Sequence, residues 1–146
     1  MVLNLEKSNY FRSKYIESFV DTSSLYYIDR IKHTKKFSDG RCYTGYLWDC
    51  LVNADIIDED KAEAILREKQ NICVMWDIHS CDRIFIPNYW KYPKTSVLFL
   101  NKWSECQKKD LPEDIYIFDH TFSWSVILTH EIDLNNERYC LYIDKQ

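Results

Sequence analysis

The sequence predicts an α+β fold: N-terminal helices packed on one face of a mostly antiparallel sheet that ends in a three-strand meander. Three observations carry the prediction. Apolar residues recur at three- and four-residue spacing early in the chain and give way to runs of β-branched and aromatic residues after Asn71. Segments with helical spacing come first and strands follow, an order that suits α+β better than alternating βαβ units. The stretch from Asp114 to Asp144, DIYIFDHTFSWSVILTHEIDLNNERYCLYID, contains three strand-like runs, Ile115–Asp119, Trp124–Glu131 and Arg138–Ile143. The segments joining them are short and polar, as antiparallel hairpins require.

A chain of 146 residues is most simply one domain, here 1–146, with a helical part over about 8–70 and a sheet part over about 71–146. With 46% apolar and 16% aromatic residues there is material for a core, and only two glycines and three prolines leave no flexible linker. Taking the elements in order, Ser8 is placed to cap a helix running to about Val20. Tyr10, Phe11, Tyr15 and Phe19 form its apolar face. A second helix follows Ser23 or Ser24 and ends in the basic run His33–Lys36. Ser38-Asp39-Gly40 reads as a turn, and Thr44 is placed to cap a third, short helix over GYLWDCLVN. Asp58 caps a helix to about Lys69, with Glu59 and Asp60 in its first turn, Arg67 and Lys69 in its last, and an outward Glu63–Arg67 pair. Ile72–Ile78 and Arg83–Ile86 read as strands. Pro87 and Pro93 bracket the aromatic loop NYWKY, and Val97–Leu100 is either a strand or the start of a helix to Lys108.

Charge is uneven. From Asp110 onward eight acids face two bases, so that part carries −6 of the formal net charge of −4 and the rest carries +2. An acidic sheet argues against nucleic acid, which needs clustered Lys and Arg, and suits a basic protein partner. The plainer account is a solvated sheet face. Six cysteines without a C-x-x-C pair do not signal structural zinc. Cys73 and Cys140 fall inside apolar strands and read as buried thiols. The N-terminus is too charged for a signal peptide, and no apolar run approaches the ~20 residues of a membrane span. A cytoplasmic protein without membrane contact is therefore expected.

Two clusters could carry chemistry. Alternation along Trp124–Glu131 places His130 on the face of Trp124, Val126 and Leu128, and Glu131 on the face of Ser125, Ile127 and Thr129. A core-facing histidine needs a polar partner, for which Asp119, Asp77 and Asp49 are the candidates. In the second cluster, Trp76–Arg83, Asp77 and His79 share a face, and Cys81 with His79 has the composition of a nucleophile and its base. The ordinary reading there is a strand and turn, with Asp77 and Asp82 bonding turn amides. Asp77, His79, His130 and Glu131 are ligand types, but in no recognised metal spacing, so no metal and no cofactor are expected. Tyr89, Trp90, Tyr92 and Glu131 are the candidate partner-binding residues, since aromatic anchors dominate interfaces. His120 reads as an exposed turn residue.

The run Ile115–Asp119, the Phe122-Ser-Trp124 triplet and Thr129-His130-Glu131 resemble a bacterial family of small uncharacterised proteins, a domain of unknown function. Its C-terminal signature is an apolar strand, a Phe-x-Trp, then Thr-His-Glu before a closing strand. Gly45–Asp49 is similar to an upstream Leu-Trp element of that family, with Asp49 departing at a position where a variable residue or a histidine is expected. The resemblance implies a bacterial, cytoplasmic, single-domain protein and carries no activity with it. By analogy, small proteins of this type include immunity proteins that accompany toxins. The resulting expectation is a small acidic protein-binding protein, for instance an immunity protein that neutralises a basic toxin domain, since no catalytic motif is complete. The alternative is a small enzyme or ligand-binding domain with a site around His130, Glu131, Asp77 and His79.

Overall fold

The computed structural model of the chain describes residues 1–32, 45–77 and 95–145. Its helices are α1 (Leu5–Phe19), α2 (Leu25–Arg30) and α3 (Glu59–Arg67). Its strands are β1 (Asp55–Ile57), β2 (Gln70–Trp76), β3 (Leu98–Lys102), β4 (Ile115–Asp119), β5 (Trp124–Ile132) and β6 (Arg138–Asp144). The six strands form one antiparallel sheet in the order β1-β6-β5-β4-β2-β3. The class is α+β, and β4, β5 and β6 form the meander that the alternation of Ile115–Asp144 predicts.

Strand alternation divides the core in two. Cys73, Met75, Tyr116, Phe118, Ile127, Leu141 and Ile143 face α1 and α2 and pack on Tyr15, Ile16, Phe19 and Tyr27. Ile72, Val74, Trp76, Ile117, Trp124, Val126 and Leu128 face the other way and pack on Ala62 and Leu66 of α3 and on Trp103. The central strands are thus covered on both sides, which explains why β2 and β4 read as near-continuous apolar runs. Burying each large apolar side chain stabilises by roughly 1.5–3 kcal/mol before chain entropy is counted.

Several local expectations are corrected. Asn4, not Ser8, caps α1, accepting from the Lys7 N–H at 2.8 Å. Ser8 is buried inside the helix. It donates to the Leu3 carbonyl (3.2 Å) and accepts from the Val97 N–H (3.0 Å), tying the N-terminal segment to the sheet. That segment also bonds Val97 and Phe99 through Leu3 and Met1, so the β3 edge is shielded from strand addition. GYLWDCLVN holds only a 3-10 turn, Leu47–Cys50. β3 is followed by a 3-10 turn, Trp103–Glu105, and not by a helix to Lys108. β1 lies in the segment read as helical and extends the sheet beside β6. Glu63 turns to Lys108 Nζ (2.7 Å) and to the Trp103 indole N–H (2.9 Å), not to Arg67. Ser24 and Asp58 cap α2 and α3 as read. α2 ends at Arg30, capped at Ile31, before the basic run His33–Lys36 expected to end it. That run, the strand at Arg83–Ile86, the Thr44 cap and the Ser38–Gly40 turn lie outside the described residues.

Candidate functional site

The site lies at the end of the sheet where β4 begins and β5 runs into its hairpin. Ile115 pairs with Leu128, so the preceding residue, Asp114, meets β5 at Thr129 and His130. Beyond Leu128 the β5–β6 pairing is irregular. Leu128 faces Cys140 and Ile132 faces Arg138, so β5 spends four steps where β6 spends two. Simple alternation fails across this bulge. Trp124, Val126 and Leu128 face α3, as does the strand pattern, but His130 leaves their core and is exposed at the surface. This overturns its expected place among core residues.

Its partner is Asp114, none of the three aspartates expected. Nδ1 of His130 lies 2.9 Å from Oδ1 and 3.1 Å from Oδ2 of Asp114, whose side chain is only 2% exposed. The same carboxylate accepts the His130 backbone N–H (3.0 Å) and the Trp48 indole N–H (3.1 Å). Three donors therefore satisfy a carboxylate that burial alone would make costly. The imidazole lies against Tyr46 and Trp48, with ring centroids 5.0 and 6.0 Å away. Glu131 is exposed beside it.

The turn that carries Tyr46 and Trp48 is hooked to the sheet by a second buried acid. Asp77, fully buried at the end of β2, accepts the Leu47 N–H (3.0 Å) and the Tyr116 hydroxyl (2.6 Å). Tyr116 Oη in turn accepts the Trp48 N–H (2.9 Å). Burial pushes the Asp77 carboxyl up to about 7. The Tyr116 and Leu47 hydrogen bonds oppose the rise, the charge of Asp114 adds to it, and that of Arg12 opposes it. Arg12 of α1 is itself buried and donates to the Trp76 carbonyl at 3.1 Å. Asp77 is thus a structural anchor for the aromatic turn and does not touch His130. His79 and Cys81, read beside it, lie outside the described residues, as do Tyr89, Trp90 and Tyr92.

His130 also lines a cleft of about 350 Å³, together with Leu111, Pro112, Ile115 and Ile132 and the polar residues Glu59, Lys108, Asn136 and Arg138. Arg138 donates to the Thr129 carbonyl (2.7 Å) and the Glu113 carbonyl and lies 3.4 Å from Glu59. Lys108 lies 3.6 Å from Glu59. Burial works against its charge, but the Glu63 hydrogen bond and the charges of Glu63 and Glu59 raise its pKa overall.

Past the bulge the hairpin projects into solvent. Asp133 builds its turn, accepting the N–H groups of Asn135 (2.8 Å) and Glu137 (2.9 Å), and Asn136 adopts φ 59°. Leu134 is completely exposed and Ile132 63% exposed, with Glu131, Asp133 and Glu137 around them.

The Phe-x-Trp element proves architectural. Asp119 gathers the Thr121 N–H (2.9 Å), the Thr121 hydroxyl and the Trp124 indole N–H (2.8 Å). Phe122 takes φ 52° while its ring packs on Phe11 and Phe118. Cys50 and Cys73 have their thiols pushed up to about 12, in both cases chiefly by burial, and so lack thiolate character. Among the described residues no three His, Cys, Asp or Glu side chains gather to hold a metal. No described helix is long and apolar enough to cross a membrane.

Asp114 is the residue that sequence reading missed. It follows Pro112 and Glu113 and reads as one more solvent-facing acid. The usable signal was the hairpin register: with Ile115 opposite Leu128, Asp114 has to meet Thr129-His130. Comparison of the chain with protein-family models, with curated proteins and with solved structures finds no match.

Proposed function

We propose that this chain is a small acidic protein-binding protein that docks a basic partner through the β5–β6 hairpin, in the manner of a cytoplasmic bacterial immunity protein neutralising a toxin domain. The observation that carries this reading is the hairpin tip. A completely exposed Leu134 and a largely exposed Ile132 stand among Glu131, Asp133 and Glu137. Apolar anchors ringed by one sign of charge combine burial energy with electrostatic steering. Neither apolar residue serves the fold's core, since the turn is held by Asp133 and backbone bonds. The −6 carried by residues 110–146 supports a basic partner. The free thiols of Cys50, Cys73, Cys106 and Cys140 support a reducing compartment.

The test is site-directed photo-crosslinking in the native host. A benzophenone amino acid at position 134 should trap one basic protein, and the same probe at Leu25, an exposed apolar residue of α2, should not. Reversing charge with Glu131→Lys and Glu137→Lys should abolish the adduct while leaving the melting temperature unchanged. An adduct indifferent to both reversals, or none at position 134, overturns the proposal.

A further inference from the structure

We propose that His130 is a general base that hydrolyses a small ester or similarly activated acyl compound bound in the adjoining cleft, with Asp114 as its positioning residue. This rests on the imidazole and the cleft; Ile132 borders both the cleft and the hairpin tip, but hydrolysis is read without a protein partner, so its failure is distinct from a failure to dock.

The geometry fixes the chemistry of the ring. Asp114 is held by two donors besides the imidazole, the His130 N–H and the Trp48 indole, so its carboxylate is oriented before any ligand arrives. With Nδ1 at 2.9 and 3.1 Å from the two carboxylate oxygens, the ring proton belongs on Nδ1. Nε2 is left with its lone pair, and among the described residues it has no hydrogen-bond partner. An oriented imidazole with an available Nε2 is the arrangement that proton-accepting histidines use. Tyr46 and Trp48 flank the ring, which restricts its rotation.

The cleft supplies the remaining requirements. Leu111, Pro112, Ile115 and Ile132 form an apolar wall for an acyl chain. Lys108 has three N–H groups and meets two carboxylates. Arg138 has five and meets two carbonyls and Glu59. Both cations therefore keep N–H groups for an oxyanion, the kind of donor whose loss costs about 10²–10³ in rate. The lining is balanced in charge, with Glu59 beside both cations, so it suits a neutral ester better than a polyanion. The nucleophile is water. The Thr129 hydroxyl, the nearest in sequence, is committed to the Tyr139 carbonyl at 2.7 Å. Nε2 accepts a proton as the water oxygen bonds to the acyl carbon and the carbonyl electrons move to oxygen. When the carbonyl re-forms, the ester C–O bond breaks and Nε2–H returns the proton to the departing alkoxide. Ester and water become acid and alcohol, with no other reactant.

The experiment follows p-nitrophenyl acetate hydrolysis by the whole chain. His130→Gln should lower kcat/KM about 10²- to 10⁴-fold, the range that general-base catalysis supplies. His120, exposed in the β4–β5 turn, serves as the unassisted control: His120→Gln should change nothing. Asp114→Asn should lower kcat more than it raises KM, a split that a purely structural role would not produce. Deuterium oxide should slow the wild-type reaction, because a proton moves in the transition state, and mass spectrometry should find no acetyl group on His130. Equal rates in wild type and His130→Gln overturn the proposal. So does a nitrogen-15 spectrum of the wild-type imidazole that places the neutral proton on Nε2, a measurement that needs no variant to fold.

Discussion

Replacing Asp77 with Asn should flatten the pH dependence of stability between about pH 4 and pH 7. In the unfolded chain this carboxyl titrates at 3.8, and in the folded protein burial raises it to about 7. Between those values the native state holds a proton that the unfolded state has released. Its contribution to stability is therefore fully present below 3.8 and is lost as pH rises through 7. One proton gives a slope of at most about 1.4 kcal/mol per pH unit, so the ceiling over the window is roughly 4 kcal/mol, which local relaxation reduces. Asn carries no titration. Its carbonyl can still accept the Leu47 N–H, but its NH2 faces the Tyr116 hydroxyl, which already accepts from Trp48 and now lacks an acceptor for its own proton. That mismatch costs about 1–3 kcal/mol at every pH. The variant's stability should thus stay level where that of wild type falls, so that relative to wild type it gains with each unit from pH 5 to pH 7 and is close to it, or stronger, at pH 8. Urea unfolding at pH 5, 6, 7 and 8 reads the difference directly. Parallel profiles would refute the reasoning, because they would mean that the buried carboxyl does not change its proton affinity on folding.

Two further predictions concern the same end of the sheet. Asp114→Ala strips the acceptor from the Trp48 indole, the His130 N–H and the His130 ring, and should cost roughly 2–4 kcal/mol with a red shift of tryptophan emission. An unchanged urea midpoint would contradict the assigned network. Gly45→Ala places a Cβ 2.5 Å from Tyr26 Oη and 2.9 Å from Arg30 Cβ. Since Tyr26 also donates to Asp49 (3.1 Å) and accepts the Tyr46 N–H (2.9 Å), it cannot yield freely, and a loss of about 1–3 kcal/mol is expected from the melting temperature.

Local chemistry explains what reading the chain recovered. The strand runs of the meander alternate over short distances, and their limits fall within a residue or two of β4, β5 and β6. Asp58 followed by Glu59 and Asp60 marks a helix start by capping alone, and α3 begins there. Ser8 failed for the same reason that Asp58 succeeded: both are good caps, but Asn4 competes one turn earlier, and the chain's contacts with Val97 decide between them. β1 escaped notice because three residues with one buried side chain leave no period to read.

The sequence by itself determined the class of the fold, the meander and the caps of α2 and α3, because each depends on residues close together in the chain. It also located the Thr129-His130-Glu131 segment as unusual. Only the tertiary structure decided what that segment is. The β5 bulge carries His130 out of the core face that alternation assigns to it, and the β4–β5 register brings Asp114 to its ring. Asp77 and Tyr116 then hold Tyr46 and Trp48 alongside. Those residues lie 14 to 84 positions from His130, where neither period nor propensity reaches, and only the closed sheet makes them neighbours.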